Sequence, residues 1–225
     1  MNAVQRRPGR YTDRHGSEDV VFESDGRQLI RTTIRGVHFE SYSMNDLRAL
    51  DGEPPEASFT ISDGALCSCL LEWEVPLSVA VEGQGVRATV LDCALRLGGP
   101  VGPLRGLDVE ILTTTLRLDG REYRNNEGGD NFEDALHEIQ RRLPAGVRLW
   151  ACTACARSDY LPVGHGLMGG LGCFRDARPG PDGVLDAWNE HTEFVQETWL
   201  CEQFEHRATT RHTGHRGPFP SHPRQ

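Results

Sequence analysis

The chain has 225 residues, 37% hydrophobic and 25% charged, enough for one generous domain or two small ones with a core that needs no covalent staples. Its formal charge is −9 and all 24 cations are arginines; residues 1–14 and 207–225 are basic, which leaves −16 on residues 15–206. An acidic body repels phosphate, which argues against a nucleic-acid-binding face, and no apolar run approaches the ~20 residues that cross a bilayer.

Residues 1–17 are polar and read as a disordered N-terminus. From Val20 to Leu118 the signal is β. Val20–Phe22 and Leu29–Ile34 flank Ser24-Asp25-Gly26-Arg27, a hairpin turn, and Val37–Tyr42 alternates again. Phe59–Ile61, Leu66–Trp73, Leu77–Val81, Val86–Leu95 and Leu107–Leu118 read as further strands. Val86, Ala88 and Val90, like Leu107, Val109 and Ile111, recur at period two and so give each strand one apolar face. Such a series of short strands predicts an antiparallel β sandwich or curved sheet over residues 18–120. The period then changes. Phe132, Leu136, Ile139 and Leu143 share one helical face; Asp130 with Glu133 gives a capping-box-like start, and Pro144 ends the helix. Val147–Trp150 reads as a strand, Trp188–Phe204 as a second helical stretch, and residues 208–225 as a disordered basic tail.

The most informative segment begins at Cys152-Thr153-Ala154-Cys155. Cys173 follows after 17 intervening residues and Cys201 after 27 more. Two thiolates separated by two residues grip one metal from a tight turn, and structural zinc wants four ligands in a tetrahedron. The spacing predicts a structural zinc site at Cys152, Cys155, Cys173 and Cys201. Three of these with His165, His206 or a carboxylate form an alternative set. Trp150 precedes the pair without a βαβ context, unlike a thioredoxin-type motif. Cys67, Cys69 and Cys93 read as buried sulfur in a β core. An odd number of cysteines, seven, fits a reducing compartment better than a disulfide framework.

The run Phe132-Glu133-Asp134-Ala135-Leu136, then Leu143-Pro144, then Cys152-x-x-Cys155-x-x-Ser158-Asp159-Tyr160-x-Pro162-x-Gly164 resembles an uncharacterised bacterial family, a domain of unknown function. Gly172-Cys173-Phe174-Arg175 and Glu193-Phe194-Val195-Gln196-Glu197-Thr198-x-x-Cys201-x-x-Phe204-Glu205 carry the same resemblance, which covers roughly residues 132–207. It implies no activity, substrate or partner. It does imply that the four cysteines and their flanks act as one unit.

Other residues suggest chemistry more weakly. Gly164-His165-Gly166-Leu167-Met168-Gly169 fits a dinucleotide fingerprint but lacks its strand–helix context, so it reads as a flexible loop. Asp159 follows the cysteine pair and could support its turn; Ser158 beside it has no base in view. Glu193 and Glu197 share a face if their segment is helical, which makes Asp159, Glu193 and Glu197 the candidate catalytic acids. Asn125–Asn131 lacks the ligand spacing of a calcium loop, and His212, His215 and His222 belong to the tail.

The sequence therefore predicts an α+β protein: an antiparallel β domain over 18–120, then a helix and a small four-cysteine zinc-ribbon-like module over 121–207. With no apolar leader after Arg6-Arg7, a cytoplasmic location is expected. The expected function is a non-catalytic binding or interaction protein with a structural Zn2+. It takes a protein partner rather than nucleic acid or membrane, and one version neutralises a basic partner. The alternatives are a hydrolytic or acid/base enzyme using the carboxylates near the cysteines, and a CxxC redox or metal-sensing protein.

Overall fold

A computed structural model describes residues 4–207 apart from 28, 53, 56, 103–105, 126–130, 161–166, 168–169 and 178–190. The protein is mostly β, with a large antiparallel sheet, one short helix and a small three-stranded sheet. Its elements are β1 (Gln5–Asp13), β2 (Gly16–Ser24), β3 (Ile30–Ile34), β4 (Val37–Ser41), β5 (Arg48–Ala49), β6 (Ile61–Ser62), β7 (Ala65–Leu66), β8 (Cys69–Val81), β9 (Gly85–Leu97), β10 (Glu110–Leu118), β11 (Arg121–Arg124), α1 (Phe132–Arg142), β12 (Val147–Leu149), β13 (Ser158–Tyr160), β14 (Leu171–Cys173) and β15 (Glu193–Val195). The large sheet runs β11-β10-β9-β8-β1-β2-β3-β4-β5-β7-β6, with β12 also pairing β8. Residues from both ends of that path fill one apolar core, and Asn45 reaches Glu110 Oε1 at 2.5 Å, so the sheet curves around its core.

Strand β8 shows how composition sets this curvature. Leu71, Trp73, Val75, Leu77 and Val79 alternate into the core, while Glu72, Glu74 and Ser78 face outward. Pro76 interrupts it without breaking it. On one side β8 pairs β9 throughout; on the other, β1 stops at Trp73 and β12 starts at Val79. The Ser78 carbonyl accepts the Trp150 N–H, so alternate residues from Glu72 to Ser78 turn their backbone groups away from β9. Pro76 therefore lacks its N–H in the gap between β1 and β12, where the sheet asks for none.

The N-terminus corrects the expectation of disorder over 1–17. β1 lies in the middle of the sheet, paired with β2 along its whole length and with β8 from Gly9 to Thr12. It hides from hydropathy because its inward face reads Arg7, Gly9, Tyr11 rather than an apolar series. Tyr11 is fully buried and donates its hydroxyl proton to Asp13 Oδ2. Gly9 is required by packing: a Cβ there would lie 2.4 Å from the Glu72 carbonyl oxygen and 2.6 Å from the Phe22 ring. Arg35, in the β3–β4 turn, clamps Asp13 with both Nη atoms at 2.7 and 2.8 Å. Burial pushes that carboxyl up, but the Arg35 clamp and its other donors outweigh it and hold the pKa at about 2.

Helix α1 forms as its periodicity predicts, one residue later at its start. Asn131, not Asp130, is the cap, accepting the Asp134 N–H at 2.8 Å. Phe132, Ala135, Leu136 and Ile139 are buried, and the Phe132 ring lies 6.5 Å from that of Trp73. The helix and β12 thus join the core of the large sheet, which runs on past residue 121.

The small sheet has the order β13-β14-β15, antiparallel, over a cluster of Cys152, Leu171, Cys173 and Val195. Here a second expectation fails. Glu193–Val195 is a strand paired with β14, and no helix follows it among the described residues up to 207. β-branched and aromatic residues at Thr192, Phe194, Val195, Thr198 and Trp199 favour that outcome once β14 offers a partner. The basic tail over 208–225 and the glycine motif at 164–169, save Leu167, lie outside the described residues.

Candidate functional site

The four predicted cysteines come from three segments that converge. Cys152 opens a one-turn 3-10 helix, Cys152–Ala154, and the Cys155 N–H closes it on the Cys152 carbonyl at 2.9 Å. Ser158 Oγ sits inside this turn, 2.5 Å from the Cys152 carbonyl oxygen and 3.1 Å from that of Cys155. Arg207 completes it, donating from Nε and Nη2 to the Cys155 carbonyl and from Nη2 to that of Ser158. The turn is knitted to the segment carrying Cys201: Cys152 N donates to Trp199 O, Thr153 N to Glu197 O and Ala156 N to Glu205 O. Cys173 ends β14, opposite Ser158 on one side and Glu193 on the other.

Cys152, Cys155 and Cys173 are buried, Cys201 is half-buried, and all four are free thiols. Burial, then the charges of Cys155, Cys201 and Cys173, raise the Cys152 thiol, with Arg175 opposing them. Cys155 is also raised by burial, and by Cys201 and Cys173, but backbone N–H groups of Glu205 and Arg157 pull it back. The Arg157 N–H lies 3.4 Å from Cys155 Sγ, and Arg175 Nη1 lies 3.6 Å from Cys173 Sγ. The Arg157 and Glu205 N–H groups ease the cost of a Cys155 thiolate, though burial still leaves that thiol raised.

The sulfurs are nonetheless not a finished ligand set. Among the described residues, no group of three or more His, Cys, Asp or Glu side chains is close enough to hold a metal ion. Zinc–sulfur arms of about 2.3 Å require sulfurs roughly 3.8 Å apart. The zinc-ribbon-like module expected from the spacing is therefore not what the fold shows: the segment is a small three-stranded sheet, and among the described residues no cysteine cluster is near enough to bind zinc.

The candidate acids divide. Glu193 is held by Arg175 and by Arg27 Nε at 2.5 Å. Asp159 and Glu197 instead gather around Tyr160, with a third acid the sequence did not single out, Glu133 in the first turn of α1. Glu197 is fully buried, and Tyr160 donates its hydroxyl proton to Glu197 Oε1 at 3.3 Å. Burial first, then Asp134 and Asp159, push the Glu133 carboxyl up to about 7, against the pull of Arg207. The nearest sequence signal was Glu133 as a cap residue, which says nothing about a neighbour 26 positions away.

The raised Glu133 value has a stability consequence. Its folded pKa lies above the ordinary 4.5, so the native state binds the extra proton between those values. That contribution is complete below pH 4.5 and is lost as pH rises through about 7. Melting temperatures between pH 5 and 8 are expected to fall more steeply for the parent than for Glu133→Gln. Parallel curves would contradict this assignment.

Residues 5–158 match the model of a family of unknown function, DUF6304, which is more than half of the chain. The chain belongs to this family. The match takes in the whole large sheet and the Cys152–Cys155 turn and stops before Cys173 and Cys201. The resemblance noted in the sequence therefore extends much further toward the N-terminus than residues 132–207. No curated protein and no solved structure matches the chain.

The C-terminal segment meets the sheet at the β2–β3 turn. Gln196, fully buried, accepts from Arg7 Nη2 at 2.7 Å and donates from Nε2 to Ser24 Oγ at 2.8 Å; its backbone N–H reaches the Gly26 carbonyl. The Trp199 ring lies directly on Gly26.

Proposed function

We propose that the protein is a non-catalytic binding protein whose C-terminal segment is fixed by one structural zinc ion at Cys152, Cys155, Cys173 and Cys201. The observation that carries this reading is the pair of donors aimed at sulfur, the Arg157 N–H at Cys155 and the Arg175 guanidinium at Cys173, with Cys152 and Cys155 within reach of the charge of both Cys173 and Cys201. Zinc would replace the thiol protons and draw the sulfurs together. Four thiolates leave no position for water, so the ion would hold structure rather than activate a nucleophile.

Three further features support binding over catalysis. The Ser158 hydroxyl is spent inside the turn, Glu193 is spent on two arginines, and Glu197 is buried beneath Tyr160. Burial raises both thiols of the CxxC pair, the reverse of what an exposed redox pair needs. Seven free cysteines suit a reducing compartment such as the cytoplasm.

The test is a zinc titration of the reduced, metal-free protein against a coloured chelator. Uptake of about one zinc per chain, lost in Cys173→Ser, is expected. No uptake, or uptake unchanged in that variant, overturns the metal reading.

A further inference from the structure

The outward face of the sheet carries a groove of about 670 Å³ that crosses β2, β1, β8, β9 and β10. Its floor is low because Pro8 presents little side chain there and Gly9, whose side-chain position faces the core, adds only backbone. Its walls are charged. Arg10 holds Asp19 at 2.8 Å and Arg117 holds Asp92 at 2.6 Å. Glu72 and Glu74 also line it, and among the described residues neither has an ion pair. The groove therefore has two carboxylates more than guanidiniums.

The centre of this excess is Glu74 directly opposite Asp92. The backbone of Glu74 turns away from β9, as the Ser78–Trp150 bond four residues on requires, so this is a non-hydrogen-bonded pair. In such a pair the Cα atoms approach to about 4.5 Å and the side chains are closest. Like charges directly opposite are destabilising. Asp92 registers the cost: burial, then Glu74 and Glu122, raise its carboxyl despite Arg117. Folding alone gives no reason to put two acids there, since any neutral pair would pack better. Natural proteins keep such conflicts where a function uses them.

We propose that this groove is a docking surface for an arginine-rich segment of a partner protein, with a guanidinium seated between Glu74 and Asp92 and a second near Glu72. The inference rests on the binding reading above and names its surface and partner chemistry. Charge complementarity selects the occupant. A planar guanidinium can bridge two facing carboxylates with parallel N–H donors. Its flexible apolar stem can lie along the floor at Pro8 and Gly9.

The experiment measures binding of an oligo-arginine peptide and the melting temperature of the full chain, for the parent, Glu74→Gln, Asp92→Asn and Asp63→Asn. Asp63 is an acid in the β6–β7 turn, outside the groove. Glu74→Gln should weaken peptide binding about tenfold. It should also raise the melting temperature by about 1–2 °C, because it removes the repulsion. Asp92→Asn should weaken binding in the same direction, and Asp63→Asn should change neither reading. No binding by the parent overturns the proposal. So does equal weakening by Asp63→Asn, which would mean diffuse attraction to an acidic protein. A lower melting temperature for Glu74→Gln would also overturn it, by showing that Glu74 serves the fold. Zinc uptake in the same samples reads the metal site separately, so failure here and failure there are distinguishable.

Discussion

In a Cys152→Ser protein the segment from Ser158 to Arg207 is expected to become protease-sensitive while the large sheet survives intact. In the proposed zinc site Cys152 would be the ligand nearest β12 and so the sheet, and its N–H already bonds the Trp199 carbonyl. Structural zinc in small metal-dependent domains contributes roughly 10 kcal/mol of folding energy. The segment beyond β12 has little else of that size. Among the described residues, its own apolar cluster holds Cys152, Leu171, Cys173 and Val195, with Tyr160 and Trp199 alongside. Two of those four buried members are themselves cysteines. The sheet, by contrast, has a continuous core from Tyr11 to Leu149 that needs no metal. Limited proteolysis with mapping of the cut sites checks this. Cys93→Ser is the control, because Cys93 is buried in β9 and takes no part in the thiol cluster. It should lower global stability and leave zinc uptake and the C-terminal cut pattern unchanged. Equal protection of the segment in Cys152→Ser and parent would show that the cysteines do not hold it.

Gly26→Val should undock the same segment from the other side. Gly26 has φ +76°, a conformation that costs a β-branched residue about 1–2 kcal/mol. A Cβ there would also stand 2.1 Å from Trp199 Cζ3 and 2.2 Å from Cε3. That overlap cannot be relieved locally, because Trp199 follows Gln196, whose bonds to Arg7, Ser24 and Gly26 fix the approach. Together the two effects should cost about 3 kcal/mol or more. Comparison with Gly26→Val in a Trp199→Ala background separates them. With the ring gone, only the backbone term should remain, so the penalty should fall by at least half. A penalty that is the same in both backgrounds would place the strain in the turn and leave Trp199 without a docking role. A red shift of tryptophan emission in Gly26→Val, absent in the Trp199→Ala background, is the accompanying signal.

Much of the sheet could be read from alternation. β2, β3, β4 and β8 announce themselves with apolar residues at every second position, and α1 with a spacing of three and four; in β9 the series Val86, Ala88 and Val90 marks the wrong face, because Leu91, Cys93, Leu95 and Leu97 are buried and Val86 is exposed. β1 could not be read that way, because its inward positions are an arginine, a glycine and a tyrosine. The arginine bonds Gln196, 189 residues away. β15 lies inside Trp188–Phe204, a stretch that reads as helical and in which Glu193 and Glu197 would share one face. Strand pairing with β14 overrode that local pattern, and the two acids end in different environments.

Among the described residues no cysteine group is near enough to hold a metal, but the Cys152–Cys155 turn was readable from spacing alone, since two residues between thiols is a turn-sized grip. The groups that tune those sulfurs were not. Arg175 reaches Cys173 only because β14 turns back toward Glu193, and Arg207 reaches the Cys155 carbonyl from 52 positions on. The acid cluster at Glu133, Asp159 and Glu197 is likewise tertiary, with residues of α1, β13 and the segment after β15 within reach of one another's charge around Tyr160. Net charge revealed an acidic body; only strand register shows that two of its acids face each other across β8 and β9.

The most direct measurement is metal content with zinc-edge X-ray absorption on full-length protein purified without added metal. The four-thiolate reading predicts about one zinc per chain with four sulfur neighbours at about 2.3 Å. Protein that is folded, protease-resistant to Arg207 and free of metal would contradict it, as would zinc bound mainly through nitrogen or oxygen.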